Sequence, residues 1–373
     1  MSSATQFLNI TKPFRFRRGG SIAELTLAYE TWGTLNSEHS NAVMILTGIS
    51  PSAHAASNPL DTSEGWWEPI IGPGRPIDTR HNFVVCINSL GSCKGSTGPA
   101  SVNPQTGTPY RLAFPELTIW DIASAAQLVL EHLAIEQLRV MVGPSMGGMT
   151  GLAWLYQNPR RARHFLGISS SACAEPFSIA IRSLQREAIV TDPQWHDGNY
   201  TAQSWPQNGM RLARKMGMIT YRSAREWRTR FGRREQTKFQ PQVYGMNYKV
   251  ESYLENAARK FVVQYDPCAY VYLSRAMDWF NVADDHDSLP AALAQLQLQS
   301  ARMIGVDSDI LFPLHQQAEI ADALTANGVN ANLVTLPSDQ GHDAFMVDYD
   351  RFKPAIAEYF HGVLESERDL GSE

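Results

Sequence analysis

The sequence predicts an α/β protein with a mostly parallel central sheet and a helical segment inserted between two late strands. Short apolar, β-branched runs alternate with helical patterns up to residue 175, and the pattern is helical from 176 to 299 before strand-like runs return. Parallel strands joined by helices carry helices on both faces of the sheet. We therefore expect a core formed by residues 1–175 and 300–373, with residues 176–299 as a lid over the strand ends.

The predicted strands of the core follow one another along the chain. Residues 24–30 alternate between apolar and polar, which predicts a half-exposed strand, and the apolar runs at 43–48 and 83–88 predict buried strands. A helix is expected over 119–133, because Thr118 and Asp121 form a capping pair before an amphipathic pattern. Four later strands are expected at 138–142, 165–169, 301–306 and 334–336.

Composition excludes several classes of function. The 373 residues are 43% apolar and 18% charged, which is typical of a globular protein with a full core. A net charge of −5 without a long basic tract gives no indication of a nucleic-acid partner. The four cysteines lack metal-ligand spacing, and no run of about 18 apolar residues indicates a membrane span. Since no secretory leader is evident, we expect a cytoplasmic protein without metal or membrane association.

A Gly-x-Ser-x-Gly pentapeptide at Gly143 to Gly147 is the most informative motif. A strand pattern precedes it, and a helical pattern over 149–156 follows it. A sharp strand–helix turn needs small residues around it, and such a turn lifts its serine out at the end of the strand. The helix N-terminus beyond the turn also favours developing negative charge. The context therefore predicts Ser145 as a nucleophile.

A serine hydroxyl needs a base and an orienting carboxylate, which in this kind of fold follow in the order Ser, Asp or Glu, His. His342 lies in a polar loop after the last predicted strand and is the expected base. Asp307 and Asp309 both follow the preceding strand, and their position in the sequence does not separate them. Two other late histidines fall in predicted helices and are expected at the surface: His315 and His361.

Several blocks together make the chain resemble the homoserine O-acetyltransferase family of α/β-hydrolase-fold acyltransferases. They extend nearly from end to end: Leu27 to Gly33 (LAYETWG), Gly95 to Pro99 (GSTGP), Gly143 to Met149 (GPSMGGM), Arg230 to Arg233 (RFGR) and Gly341 to Phe345 (GHDAF). The resemblance implies an α/β-hydrolase fold with a helical lid. It also implies an acyl-CoA co-substrate, no bound cofactor, and a homodimer formed through the lid.

The resemblance assigns roles to particular residues. In the family's S-D-x-L-[FY]-P block the acid matches Asp309, and the nucleophile and base match Ser145 and His342. Backbone N–H groups of Leu46 and Met146 are expected to hold the oxyanion, since a fold of this type takes one donor from the early loop and one from the residue after the nucleophile.

Two charged residues match the family's amino-acid site. Arg214 matches the arginine that holds the substrate carboxylate, and Asp343 matches the acid that holds the ammonium group. The chemistry fits, because a guanidinium fork suits a carboxylate and a zwitterion needs one charge of each sign.

Two departures from the homoserine pattern resemble the branch of the family that acylates L-serine. Homoserine enzymes read L-T-G-D-S-H at the oxyanion loop, whereas this chain reads LTGISPSAH over 46–54. Arg182 stands where homoserine enzymes carry a neutral side chain. The candidates for specificity are therefore the loop residues and this arginine, which could pair with a succinyl carboxylate: Pro51, Ser52, Ala53, His54 and Arg182.

The expected function is a CoA-dependent O-acyltransferase that moves a succinyl or acetyl group, preferably succinyl, to the hydroxyl of L-serine. A ping-pong reaction through an acyl-serine intermediate is expected, as a step of cysteine biosynthesis. The first alternative is acyl transfer to homoserine in methionine biosynthesis, because one methylene is worth only about 1–3 kcal/mol of discrimination. The second is an esterase or thioesterase, because a fold does not fix a function.

Overall fold

An eight-stranded sheet forms the centre of the protein in a computed structural model that describes residues 3–235 and 245–370. Its strands are β1 (Gln6–Ile10), β2 (Leu25–Trp32), β3 (Ala42–Leu46), β4 (Phe83–Ile87), β5 (Leu138–Pro144), β6 (Ala162–Ile168), β7 (Ser300–Val306) and β8 (Asn330–Leu336). They lie in the order β1-β2-β4-β3-β5-β6-β7-β8. β2 pairs antiparallel with β1 and β4, and the other neighbouring strands are parallel.

Helices cover both faces of the sheet, and six of the described helices follow one another in the sequence between β6 and β7. The helices are α1 (Ile119–His132), α2 (Met146–Gln157), α3 (Pro176–Val190), α4 (Gln207–Thr220), α5 (Ala224–Phe231), α6 (Lys249–Val262), α7 (Pro267–Asp278), α8 (Leu289–Leu293), α9 (Leu314–Ala326), α10 (Ala344–Val347) and α11 (Tyr349–Leu370). Two short strand pairs, Phe14–Arg15 with Ser21–Ile22 and Ile71–Gly72 with Ile77–Asp78, lie outside the main sheet.

The sheet separates two hydrophobic clusters. The first contains buried side chains of α1, α2 and α9, and the second contains side chains of α11 together with Trp67. β5 illustrates the reason, because all seven of its residues are buried, and its central side chains alternate: Val140 and Val142 belong to the second cluster and Met141 to the first. A mostly parallel sheet covered on both faces confirms the predicted fold class.

Local sequence signals predicted most elements well, with three corrections. The strand predicted as half-exposed at 24–30 is β2, and six of its eight residues are buried because it lies inside the sheet between β1 and β4. Thr118 and Asp121 form the expected reciprocal capping box at the start of α1. Helix α2 begins at Met146, three residues earlier than the pattern predicts, because tight packing keeps a glycine-rich first turn helical despite its poor propensity. β1 was not predicted; it is an edge strand whose residues are exposed or half-buried, so it lacks a strong apolar signal.

Helices α3 to α8 fall between β6 and β7, in the segment for which the sequence predicts the lid. Residues 236–244 of that segment lie outside the described residues. The domain boundaries at 175/176 and 299/300 stay a prediction. Among the described residues, no helix is both long and apolar enough to cross a membrane.

Candidate active site

A strained turn joins β5 to α2 at Ser145. The serine adopts φ 55° and ψ −127°, a region that costs a non-glycine residue on the order of 1–3 kcal/mol. The glycines beside it allow close packing: a Cβ on Gly143 would lie 2.5 Å from the carbonyl oxygen of Gly147, and one on Gly148 would lie 2.3 Å from Oγ of Ser170. The surrounding structure thus holds a strained serine at the end of a central strand.

Hydrogen bonds connect this serine to a histidine and an aspartate from distant parts of the chain. Nε2 of His342 lies 2.9 Å from Oγ of Ser145, and Nδ1 of His342 lies 2.8 Å from Oδ2 of Asp309. His342 belongs to a 3₁₀ turn after β8, and Asp309 follows β7. With its Nδ1 proton held by Asp309, the imidazole presents Nε2 to the serine, which is the arrangement that activates a hydroxyl.

The geometry distinguishes the two aspartates that sequence position leaves open, of which the resemblance selects Asp309. The Asp309 side chain is fully buried, and its Oδ1 accepts backbone N–H bonds from Leu311 at 2.8 Å and Phe312 at 2.9 Å. Asp307 instead pairs with Arg225 at 3.1 Å on the surface. Asp309 is therefore oriented by backbone donors toward His342, whereas Asp307 points away.

Packing fixes the ring of His342 and changes its basicity. The ring stacks on Phe312 with centroids 5.0 Å apart, and Phe345 meets it edge-on at 5.8 Å. Burial alone would lower the pKa of His342, but the charge and hydrogen bond of Asp309 outweigh it, so the pKa lies above the usual value for histidine. The imidazolium that forms when a serine is deprotonated is thus stabilised.

A cavity of about 140 Å³ opens beside Oγ of Ser145. Loop residues after β3, residues of α3, α4 and α7, and the segment around His342 line it. Its charged lining residues are Arg182, Arg214 and Asp343. The structure therefore brings these three charged residues, together with the specificity candidate Pro51, to the cavity of the predicted nucleophile.

Arg214 has no carboxylate partner among the described residues. Its guanidinium lies 4.4 Å from the ring centre of Phe261 and 5.8 Å from that of Tyr221, and its buried Nε makes no hydrogen bond. Asp343 lies on the same cavity, and its Oδ2 pairs with Nε of Arg222 at 3.2 Å. The cavity thus contains an arginine without an anion and an aspartate whose second oxygen makes no ion pair.

Arg182 lines the cavity and is 6% exposed. Its Nε lies 2.5 Å from Oδ1 of Asp278, and its Nη2 donates to Oγ of Ser178 at 3.1 Å. The side chain is therefore a buried, oriented cation.

The loop after β3 contacts the cavity through fewer residues than the sequence suggests. Pro51 lines it, as do Gly48, Ile49 and Ser50. Three specificity candidates do not: Ser52, Ala53 and His54. Their contribution to specificity stays a prediction, and it can act only through the shape of the loop.

The side chain of His54 points away from the cavity because a buried carboxylate holds it. Its Nδ1 lies 2.8 Å from Oε2 of Glu30, which is fully buried on β2, and its Nε2 lies 2.9 Å from the carbonyl oxygen of Ser63. Burial lowers the pKa of His54, but Glu30 and Ser63 outweigh it and raise the pKa overall. The histidine therefore anchors the loop that forms the cavity wall.

The two expected oxyanion residues lie at the end of a strand and at the start of a helix that pack against each other. Met146 is the first residue of α2, where backbone N–H groups have no partner within the helix. Leu46 is the last residue of β3, and a Cβ on Gly147 would lie 2.0 Å from its carbonyl oxygen. Neither residue is among those that line the cavity beside Ser145, so their role as oxyanion donors stays a prediction.

Sequence reasoning missed residues that act through other residues. The phenol of Tyr265 donates to the carbonyl oxygen of Ile49 at 2.5 Å, which ties the helical segment to the cavity wall. The carbonyl oxygen of Tyr221 accepts the N–H of Asp343 at 3.1 Å. Neither aromatic residue stands in a recognisable motif, so no signal in the sequence identified them. Within the described residues, no group of His, Cys, Asp or Glu side chains could hold a metal ion.

A strained serine at a strand–helix turn, hydrogen-bonded to a histidine that is held by an aspartate, is typical of enzymes with the α/β-hydrolase fold. The family model for the alpha/beta hydrolase fold matches residues 41–349. A serine O-succinyltransferase from Stenotrophomonas maltophilia is 56% identical over 358 residues, covering 94% of this chain and 96% of the relative.

Solved structures with lower sequence identity share the fold of this protein over nearly its whole length. The crystal structure of a homoserine O-acetyltransferase from Bacillus anthracis aligns with a TM-score of 0.88 at 28% identity, covering 95% of this chain and 96% of that one. A solved esterase aligns with a TM-score of 0.86 at 25% identity, covering 95% and 99%. The chain belongs to the α/β-hydrolase-fold family and, within it, to the family of O-acyltransferases that contains these serine and homoserine enzymes. It is an O-acyltransferase, as the sequence predicts.

Proposed function

We propose that the protein transfers a succinyl group from succinyl-CoA to the side-chain hydroxyl of L-serine, as a step of cysteine biosynthesis. The observation that carries this proposal is the pairing of an activated serine with a cavity that holds opposite charges. The serine, histidine and aspartate can relay an acyl group, and Arg214 and Asp343 suit the two ends of an amino acid. The similarity to serine O-succinyltransferases supports serine and succinyl as the substrates.

The first half-reaction acylates the enzyme. His342 takes the proton of Ser145 through Nε2, and Oγ attacks the thioester carbonyl of succinyl-CoA. Backbone N–H groups of Met146 and Leu46 hold the oxyanion of the tetrahedral intermediate. The intermediate collapses to succinyl-Ser145, and His342 returns the proton to the departing CoA thiolate. Asp309 keeps the imidazole oriented and stabilises its charged form.

The second half-reaction transfers the acyl group to L-serine. Arg214, which has no carboxylate partner of its own, holds the substrate carboxylate, and Asp343 holds the ammonium group. The hydroxyl of L-serine then faces the ester, His342 removes its proton, and the attack releases O-succinylserine. Water is the competitor in this step, and the charged pair favours the amino acid by positioning it.

A grid of donors and acceptors tests the proposal. CoA release is measured with succinyl-CoA and acetyl-CoA, each with L-serine, with L-homoserine and without an acceptor. We expect the fastest release with succinyl-CoA and L-serine, and parallel double-reciprocal lines for this pair. Full-rate release without an acceptor would show a hydrolase instead, and a higher kcat/KM for homoserine would show the methionine-pathway alternative.

Ser145→Ala separates chemistry from folding in the same assay. Loss of the nucleophile should abolish CoA release. It should leave the melting temperature close to that of the wild type, because this small side chain contributes little to the packing of the core. Ser183→Ala is the matched control, since Ser183 is exposed on α3 and its hydroxyl, among the described residues, donates only to the carbonyl oxygen of Ala180. Equal activity of both variants would exclude Ser145 as the nucleophile.

We also propose that the helical segment mediates a homodimer in the cytoplasm. Large apolar side chains are exposed on its helices α3 and α4, among them Leu184, Leu212 and Ile219, each about half exposed. Exposed apolar residues on adjoining helices favour association. Sedimentation measurements should give twice the mass of the chain, and Leu212→Glu combined with Ile219→Glu should shift the protein to the monomer.

A further inference from the structure

Two arginines of α3 share one aspartate behind the wall of the active-site cavity. Arg182 and Arg186 are four residues apart, on one face of the helix. Nε of Arg182 lies 2.5 Å from Oδ1 of Asp278, and Nη2 of Arg186 lies 2.5 Å from Oδ2 of the same carboxylate. All three side chains are at least nine-tenths buried, with exposed fractions of 7%, 7% and 4%.

The cluster of Arg182, Arg186 and Asp278 carries one positive charge that no carboxylate of the described residues balances. Arg214 adds a second unpaired cation to the same cavity. Asp343 makes no ion pair with either arginine, and in the proposed mechanism its carboxylate binds the substrate ammonium group. Burying an uncompensated charge is costly, so a site of this kind is arranged for an anion that arrives with the substrate.

The excess charge faces the cavity through Arg182. Its Nε and Nη2 are engaged by Asp278 and Ser178, whereas its Nη1 makes no hydrogen bond among the described residues. Arg186 does not line the cavity; it lies behind Arg182 and donates to Oγ of Ser274 at 3.3 Å. Burial lowers the pKa of Arg186 against the opposing effect of Asp278, as expected where two cations share one anion.

We propose that the cluster of Arg182, Arg186 and Asp278 selects acyl donors that end in a free carboxylate, with Arg182 as the contact residue and Asp278 and Arg186 as positioning residues. The inference rests on the proposed function and adds the residues that select its acyl donor. Asp278 fixes the guanidinium plane of Arg182. Arg186 supplies a second positive charge, so the net charge of the cluster stays at +1 although Asp278 neutralises one arginine. A succinyl group brings the missing negative charge, whereas an acetyl group leaves the excess charge unbalanced.

The acceptor, L-serine, also has a carboxylate that could bind Arg182. In a ping-pong reaction the kinetic constants of the donor and of the acceptor can be measured separately, so the two possibilities can be distinguished. The kcat/KM for the donor reports the acylation step alone, and the kcat/KM for L-serine reports the second step alone. If Arg182 bound the acceptor, its loss would change the second constant and not the first. Arg214 is expected to show that opposite pattern.

Arg186→Gln is the sharpest test, because it removes the excess charge and leaves a neutral Arg182–Asp278 pair. Coulomb attraction of this kind predicts about a tenfold fall in kcat/KM for succinyl-CoA. The kcat/KM for acetyl-CoA should change little. Arg228→Gln, at an exposed position of α5 without an ion-pair partner among the described residues, makes the same change in net charge and should leave both constants unchanged.

Arg182→Lys and the double variant Asp278→Asn with Arg186→Gln complete the series, because both keep the cluster charge at one. Lysine loses the guanidinium fork, and the double variant releases the fork from Asp278, so both should lower the ratio of succinyl-CoA to acetyl-CoA turnover. An unchanged donor ratio in Arg186→Gln and Arg182→Lys would overturn the proposal. A wild type that is inactive with every acyl-CoA would instead reject the proposed function.

Discussion

Gly147→Ala should damage catalysis through the backbone alone. A Cβ at this position would lie 2.0 Å from the carbonyl oxygen of Leu46 and 2.8 Å from its carbonyl carbon, whereas ordinary contacts begin at 3.4 Å. The atoms that clash are backbone atoms at the end of β3, so no side-chain rotation relieves the contact. Either β3 or the first turn of α2 must move by about 1 Å, and a misplacement of that size costs on the order of 10²-fold in rate.

The same shift should reduce stability. Forcing extra volume into a packed site costs about 1–3 kcal/mol, which lowers the melting temperature by a few degrees. The movement would separate the end of β3 at Leu46 from the start of α2 at Met146. The N–H groups of these two residues hold the oxyanion in the proposed mechanism. The rate should therefore fall further than the loss of folded protein explains.

The assay is CoA release from succinyl-CoA with L-serine, together with a thermal melt of the same sample. Gly362→Ala is the matched control, because no atom lies within 4 Å of its Cβ position on the exposed side of α11. That variant should keep full activity and gain about 0.5–1 kcal/mol, as alanine does over glycine inside a helix. A Gly147→Ala enzyme with the rate and melting temperature of the wild type would refute the reasoning.

Three further outcomes are expected. Arg214→Gln should raise KM for L-serine on the order of 10²-fold and leave kcat/KM for succinyl-CoA unchanged, because the lost charge-assisted bonds belong to the acceptor; an equal loss for both substrates would contradict this role. kcat/KM should rise with pH through a pKa above the usual histidine value, since neutral His342 is the base. In Asp309→Asn, the pKa of this rise should be lower, because the carboxylate that raises the pKa of His342 is lost. An unchanged pKa in this variant would count against the assignment. Because the native pKa of His54 is raised, its charged form stabilises the fold below the usual histidine pKa, and this contribution disappears as pH rises through the native pKa. The melting-temperature deficit of Glu30→Gln should thus be larger near about pH 5.5 than near about pH 8.5, and a deficit independent of pH would show that the pair is not ionic.

Signals confined to neighbouring residues predicted the local structure well. The capping box at Thr118 and the strand–turn–helix around Ser145 depend on residues a few positions apart, so the sequence displays them directly. The edge strand β1 has no such signal, because pairing with β2 and not an apolar face determines its conformation.

Features that join distant residues could not be predicted in the same way. Asp307 and Asp309 are equivalent in sequence position; the family resemblance favours Asp309, and the physical reason appears only in the packing around His342. Asp278 is 96 residues from Arg182, and neither residue's surroundings indicate that they form a buried pair. His54 likewise resembles a loop residue near the substrate until its pairing with Glu30 is known.

The most direct test of the acyl-transfer mechanism is the intact mass of the enzyme after acid quenching. Mixed with succinyl-CoA in the absence of L-serine, the wild type should gain the mass of one succinyl group on the peptide that contains Ser145. Adding L-serine should remove this group and produce O-succinylserine. No adduct, an adduct on another peptide, or release as free succinate at a rate that L-serine does not change would contradict the account.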